Sequence, residues 1–174
     1  SKKLLEYMRM KEATFDFYPL WNKTERRMRN LLKYKLKEKY GEKWEDDIKT
    51  LYITPNCNSL SLGGYLDKAQ KLQNTVAKQK DLYIQNASYS IIEALTTAGL
   101  FAFYVKEYKL FQSALGMDKN EFSKITMHLT KARNPYQHNN DDLIDPAFKN
   151  LTKGYCELIN KKIDLFEESE GRAI

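Results

Sequence analysis

The segment from Pro19 to Tyr40 constrains the fold of this chain more than any other. Leu20, Trp21, Thr24, Met28, Leu31, Leu32 and Leu36 fall three or four positions apart. That is the repeat of an amphipathic helix with one apolar stripe. Lys and Arg residues occupy the rest of its circumference, and Gly41 supplies a natural stop. Trp44 and Ile48 are expected to fold back against the stripe.

Further along, the same reading gives an all-α fold, a bundle of four to six helices. Residues 1–14 form a short lead-in helix. Residues 50–64, punctuated by Thr54-Pro55-Asn56 and Gly63-Gly64, read as an irregular loop with a short strand at Leu51–Ile53. A helix from Tyr65 to Lys78 follows. Residues 81–115 then read as the longest and most apolar helix, ended by Gly116, with Gly99 a candidate bend. The next helix opens on a capping box, Asp118 with Glu121, and a hydrophobic staple, Met117 with Phe122. Asp145-Pro146 opens the last helix as cap and first-turn proline. Its inner face is read as Phe148, Leu151, Tyr155, Leu158, Ile159 and Phe166.

At 174 residues the chain suits one domain with a proper core. It begins at Ser1, which reads as an excised domain or a processed chain, so a fused or associated regulatory domain is allowed. The most apolar stretch, Ala87 to Val105, carries Glu93 and several Ser and Thr residues, which argues for a buried helix and against a membrane span. No secretory pattern is legible. Cys57 and Cys156 lack metal-ligand spacing and fit free thiols in a reducing, cytoplasmic setting.

The net charge of +6 is concentrated. Between Asn22 and Lys43 there are nine Lys/Arg and three Glu, and nine minus three equals the excess of the whole chain. Such a segment suits a polyanion, usually nucleic acid, or else a solvated outer helix face.

Candidate chemistry lies at Arg133-Asn134-Pro135-Tyr136-Gln137-His138. The Arg133 guanidinium is a permanent planar fork for phosphate oxygens. His138 can take or give a proton near neutrality, and Asn134 can fix a phosphate oxygen or the imidazole. Pro135 should place the motif across a helix end or kink. Tyr136 and Asn139 offer stacking and polar contacts to RNA, while Lys131, Arg26 and Arg29 are candidate phosphate contacts. Asp141, Asp142 and Asp145 cluster but supply too few oxygens for a hard cation, so neither metal nor other cofactor is expected. A metal-free route uses the 2′-hydroxyl of RNA as nucleophile, with Arg133 neutralising charge on the phosphorane. The alternative is that Arg133 and His138 merely bridge a helix end to an acidic neighbour. His128 shares a face with Glu121, Lys124 and Lys131 and reads as a solvated surface histidine.

This motif resembles that of the HEPN superfamily (higher eukaryotes and prokaryotes nucleotide-binding domains), in which Arg is followed after four to six residues by His, commonly with Asn, Asp or His directly after Arg. The opening around Trp21–Arg29 and the apolar stretch Ile91–Thr96 are also similar to helices of that superfamily. The likeness is to abortive-infection and toxin-type members used in phage defence, and spans about residues 15–168. It implies a helical bundle that homodimerises, bringing two motifs into one cleft, and a metal-independent ribonuclease with Arg133 and His138 catalytic and Asn134 supporting. Some antitoxin-paired members carry a tyrosine two places after the histidine, where this chain has Asn140. The competing expectation is a non-catalytic helical module that binds nucleic acid or nucleotide, or dimerises a larger protein.

Overall fold

A computed structural model describes residues 1–79, 89–137 and 145–174, with side chains described for all of these except 6–16 and 134–137. The fold is all-α, as the periodicity predicts. Among the described residues there are eight α-helices and no strand. They are α1 (Lys2–Tyr40), α2 (Trp44–Tyr52), α3 (Leu62–Lys78), α4 (Ile91–Ala94), α5 (Thr97–Lys106), α6 (Gln112–Leu115), α7 (Lys119–Gln137) and α8 (Pro146–Glu170). Short 3-10 turns lie at Gly41–Lys43 and Tyr108–Leu110. Among the described residues no helix is long and apolar enough to cross a membrane. The chain divides into two compact units, one of residues 1–28 with 112–174 and one of residues 29–111.

In the second unit, Leu31, Leu32 and Leu36 of α1 and Ile48 of α2 are fully buried, together with Leu66 of α3, Ile91, Ile92 and Phe103. The helix stop at Gly41 holds: its φ of +80° is a left-handed conformation that glycine adopts without a steric penalty.

The single helix expected over 81–115 is instead broken into short pieces, so the helix count exceeds the expected four to six. Residues 80–88 lie outside the described part. From there on, local side-chain bonds compete with the helix. Ser90 and Glu93 form a reciprocal capping box that starts α4, and Thr96 caps α5 by accepting from the Gly99 amide at 3.1 Å. Leu95 between them is extended. Gly99 is no bend. It lies in the first turn of α5, where an added Cβ would sit 2.9 Å from Leu95 Cδ2 and 3.0 Å from Tyr65 Cβ, so it permits close packing of α5 on α3.

The irregular stretch is shorter than 50–64. Leu51 and Tyr52 complete α2 rather than a strand, and α3 begins at Leu62 with Ser61 accepting from the Gly64 amide at 3.2 Å. Gly63 and Gly64 therefore lie inside the first turn of α3. They are glycines because a Cβ on either would run into backbone, at Tyr52 and Asn58 respectively.

In the first unit, α1 starts at Lys2 and passes through Pro19, where the sequence suggests a separate lead-in. Phe17 and Trp21 are both buried and their rings stack at 6.0 Å, so packing on both sides holds the helix across the missing proline donor. Asp118 caps α7 by accepting from the Glu121 amide at 2.8 Å, and Met117 and Phe122 are buried, as the staple predicts. Asp145 caps α8 by accepting from the Ala147 amide at 2.7 Å, with Pro146 in the first turn.

The inner face of α8 differs from expectation. Its buried residues are Thr152, Cys156, Ile159, Asn160, Ile163 and Phe166. Ile159 and Phe166 are as expected, whereas Leu151 is 46% exposed and Phe148, Tyr155 and Leu158 are only half-buried. The helix is turned this way because the polar members of the true inner face are satisfied. Asn160 Nδ2 donates to Thr24 Oγ1 at 2.7 Å and to the Cys156 carbonyl at 2.9 Å. A hydrogen-bonded asparagine costs little to bury.

Candidate functional site

Helix α7 carries the Arg133 motif at its C-terminal end. It leads in with buried Ile125, Leu129 and Ala132, which anchor one face and leave Arg133 half-buried beside them. The helix runs on to Gln137, past Pro135. Asn134 and Pro135 are themselves helical, and the described helix reaches Gln137, within the motif. Pro135 lacks the N–H that would donate to the carbonyl four residues earlier, so one bond of this last turn is missing.

Of the other candidates, Lys131 and Arg26 are exposed. His138 and Asn139 lie outside the described residues, as do the side chains of Asn134 and Tyr136. Lys131 and Arg133 stand two positions apart on α7 and so do not share a face.

Arg29, also read as a phosphate contact, is half-buried. It lies in the second unit and donates Nη1 to the Ile92 carbonyl at 2.5 Å. The same carbonyl also accepts from the Leu95 amide at 3.4 Å, so Arg29 adds a second donor at the end of α4.

Much of the basic segment is engaged in the same way. Arg27 pairs with Asp164 at 2.6 Å and with Glu167, and also donates to Asn160 Oδ1 at 3.0 Å. In the second unit Lys33 pairs with Glu93, and Lys39 with Glu107 at 3.3 Å. Glu107 also accepts from the Tyr52 hydroxyl. Burial, then this hydrogen bond, holds the Tyr52 phenol well above its ordinary range. Lys35 and Lys37 pair with Glu38 and Glu42 at 3.7 and 3.5 Å, and the exposed Lys37–Glu42 pair contributes little. Lys23, Arg26 and Lys43 are exposed. The stretch that looked like a polyanion surface therefore spends several of its charges holding helices in place.

His128 is not the solvated surface residue that its helical face suggested. It is half-buried. Its Nε2 lies 2.7 Å from Thr152 Oγ1, its ring lies tilted against Phe148 at 4.2 Å between centroids, and the Tyr155 ring meets it edge-on at 5.1 Å. Thr152 Oγ1 in turn donates to the Phe148 carbonyl at 2.7 Å, so the imidazole, the hydroxyl and this carbonyl form one hydrogen-bonded cluster. Burial pushes the imidazole pKa below its ordinary value; a hydrogen bond to the Phe148 backbone opposes this, and the Lys131 charge adds to it. The group is thus a neutral imidazole that joins α7 to α8. Helical spacing alone missed it because Phe148, Thr152 and Tyr155 come from another helix.

Cys156 is fully buried, and burial raises its thiol pKa to about 11. At neutral pH it is protonated and a poor nucleophile. Among the described residues no group of three or more His, Cys, Asp or Glu is placed to hold a metal ion. Compared with known proteins, the chain matches no family model, no curated protein and no solved structure.

Proposed function

We propose that the chain is a metal-independent endoribonuclease of HEPN type that cuts single-stranded or loop RNA and works as a homodimer. The observation that carries this reading is the run Arg133-Asn134-Pro135-Tyr136-Gln137-His138 at the C-terminal end of α7 in an all-helical chain. The 2′-oxygen attacks the adjacent phosphorus while a histidine takes its proton. The 5′-oxygen leaves with a proton returned by an imidazole, giving a 2′,3′-cyclic phosphate and a 5′-hydroxyl. In this reading His138 moves the protons and Arg133 compensates the extra charge on the phosphorane. Asn134 orients one of them, and Tyr136, Asn139, Lys131 and Arg26 hold the strand. The proposed setting is cytoplasmic, in phage defence or a toxin system, with control by a fused or associated domain.

The test is cleavage of total RNA in EDTA. The chain should release fragments ending in 2′,3′-cyclic phosphate and leave DNA intact. Arg133→Ala and His138→Ala should each lose at least ~100-fold in rate. Cleavage that requires added metal, or that survives both substitutions, would refute the proposal.

A second reading, a non-catalytic helical dimerisation module, is favoured by the outward-facing leucines of α8, Leu151 at 46% and Leu165 at 51% exposed. It predicts self-association without turnover.

A further inference from the structure

Helices α7 and α8 of the first unit share a solvent-facing strip of mixed apolar and basic character. On α8 Leu151, Tyr155, Leu158, Lys162 and Leu165 fall four, three, four and three positions apart, which is one face of a helix. Leu151 and Leu165 are 46% and 51% exposed, while Tyr155 and Leu158 are half-buried. On α7 Lys124, Met127 and Lys131 share a face in the same way. Both lysines are exposed, and Met127 is 63% exposed.

His128 joins the two runs. It is half-buried, follows Met127, and meets Phe148, Thr152 and Tyr155 of α8. The exposed faces of the two helices therefore adjoin, with Ile125, Leu129, Cys156 and Ile159 buried behind them. Singly exposed apolar residues are ordinary. Four along one strip mark a surface that something covers.

The charges say what fits. Lys131 and Lys124 border the leucine ridge along α7, and Lys162 continues their row on α8, its Nζ placed 3.4 Å from where a Cβ on Gly116 would sit. Among the described residues none of these three lysines has a carboxylate partner. Residues 122–133 contain no Asp or Glu, and Asp164 lies on the other side of α8, paired with Arg27. Carboxylates return at the ends of the strip, at Asp145 and at Glu121 and Glu168. A second copy of this face has no carboxylate to set against the lysine row. A flat anionic bilayer would press on Glu121 and Glu168 as well, and an RNA backbone would leave the leucines wet. A narrow occupant, apolar on one side and acidic along one flank, meets every feature.

We infer that this strip docks an amphipathic helix of a partner polypeptide. Its apolar stripe lies on Leu151, Leu158 and Leu165, and its acidic flank faces Lys124, Lys131 and Lys162. The ridge from Leu151 to Leu165 spans roughly 21 Å, so the occupant needs about four helical turns. The inference goes beyond the ribonuclease reading and does not rest on it; of the residues named there only Lys131 is shared.

The test is titration of the 174-residue chain with synthetic helical peptides of about sixteen residues, whose leucines repeat the four-and-three spacing. One set carries glutamate along one flank of the stripe, and control sets carry glutamine or lysine there. Glutamate peptides should bind with Kd on the order of 1–100 μM, and both control sets at least ~tenfold more weakly. Amide NMR shifts should centre on Met127, Tyr155 and Leu158. Leu151→Ser and Leu165→Ser should each weaken binding several-fold while helicity and thermal midpoint hold, since both positions are exposed. Lys124→Glu combined with Lys131→Glu should reverse the preference toward the lysine peptides. No binding by any peptide, glutamine peptides that bind as well as glutamate ones, or a preference unchanged by the double reversal would overturn the inference. So would a dimer, or attachment to phosphatidylglycerol vesicles, that the two leucine substitutions abolish.

Discussion

The carboxamide of Asn160 donates to the hydroxyl oxygen of Thr24 at 2.7 Å across 136 positions of sequence. Thr24 in turn donates to the Leu20 carbonyl at 2.7 Å, and Arg27 donates to both the side-chain and main-chain oxygens of Asn160, at 3.0 and 3.2 Å. Every polar atom of this buried group has a partner, and the group sets which face of α8 turns toward α1 in the first unit. Replacing Asn160 by Leu should destabilise the unit by about 2 kcal/mol, the usual cost of leaving buried partners unmet. Thr24→Val should cost about 1 kcal/mol. Urea unfolding of both single variants and the double variant checks this. Additive losses would show that the two side chains act separately.

Protonation of His128 should destabilise the fold. Its pKa is depressed in the folded state, so folding favours the neutral form and the unfolded chain binds the proton more readily. Its contribution is complete above the ordinary histidine value of about 6.5 and is lost as pH falls through the lower folded value. The urea midpoint should therefore fall between about pH 7 and pH 5, and His128→Gln should flatten that part of the profile. Following the His128 ring proton by NMR checks the direction of the pKa shift.

Arg26 and Arg29 stand three residues apart on α1, yet their substitutions should separate. Arg29→Ala removes the donor to the Ile92 carbonyl and should lower stability by about 1–2 kcal/mol. Arg26 is exposed, so Arg26→Ala should leave the unfolding midpoint unchanged. If RNA binds there, it should reduce the salt slope of binding by about one. Filter binding at several salt concentrations, beside thermal unfolding, distinguishes the two.

Gly63 and Gly154 should respond oppositely to alanine. A Cβ at Gly63 meets the Tyr52 backbone, whereas nothing lies within 4 Å of one at Gly154. Gly63→Ala should cost about 1–3 kcal/mol through overpacking. Gly154→Ala should add about 0.5–1 kcal/mol, as in any open helix interior. Denaturation of the dilute chain measures both.

The thiol of Cys156 should resist modification. Its pKa of about 11 leaves roughly one part in a thousand as thiolate at pH 8, and the residue is fully buried. With a thiol reagent at that pH, Cys57, which is half-buried, should react first. Cys156 should follow only at the rate of unfolding.

Local signals in the sequence carried over well where the interaction is itself local. The Asp118 and Asp145 caps, the Met117–Phe122 staple and the Gly41 stop each depend on residues within a few positions, and each is present. The stripe of α1 holds for the same reason. Predictions that assumed apolar means inside did less well. Residues 81–115 read as one helix because hydrophobicity masked the capping hydroxyls of Ser90 and Thr96. The motif at Arg133 was legible as a pattern, and its position at the end of α7 follows from that helix's own periodicity.

By itself the sequence determined the helical class, the boundaries marked by caps and glycines, and the Arg133–His138 spacing, since all of these arise from neighbours along the chain. Only the tertiary structure decided that Asn160 and Thr152 face inward on α8 while Leu151 and Leu165 face out, that His128 is half-buried and hydrogen-bonded to Thr152, and that Arg27, Arg29, Lys33 and Lys39 bind partners within the fold. Those outcomes depend on where a distant donor or acceptor sits, because a polar side chain is cheap to bury only when its partner is already in place.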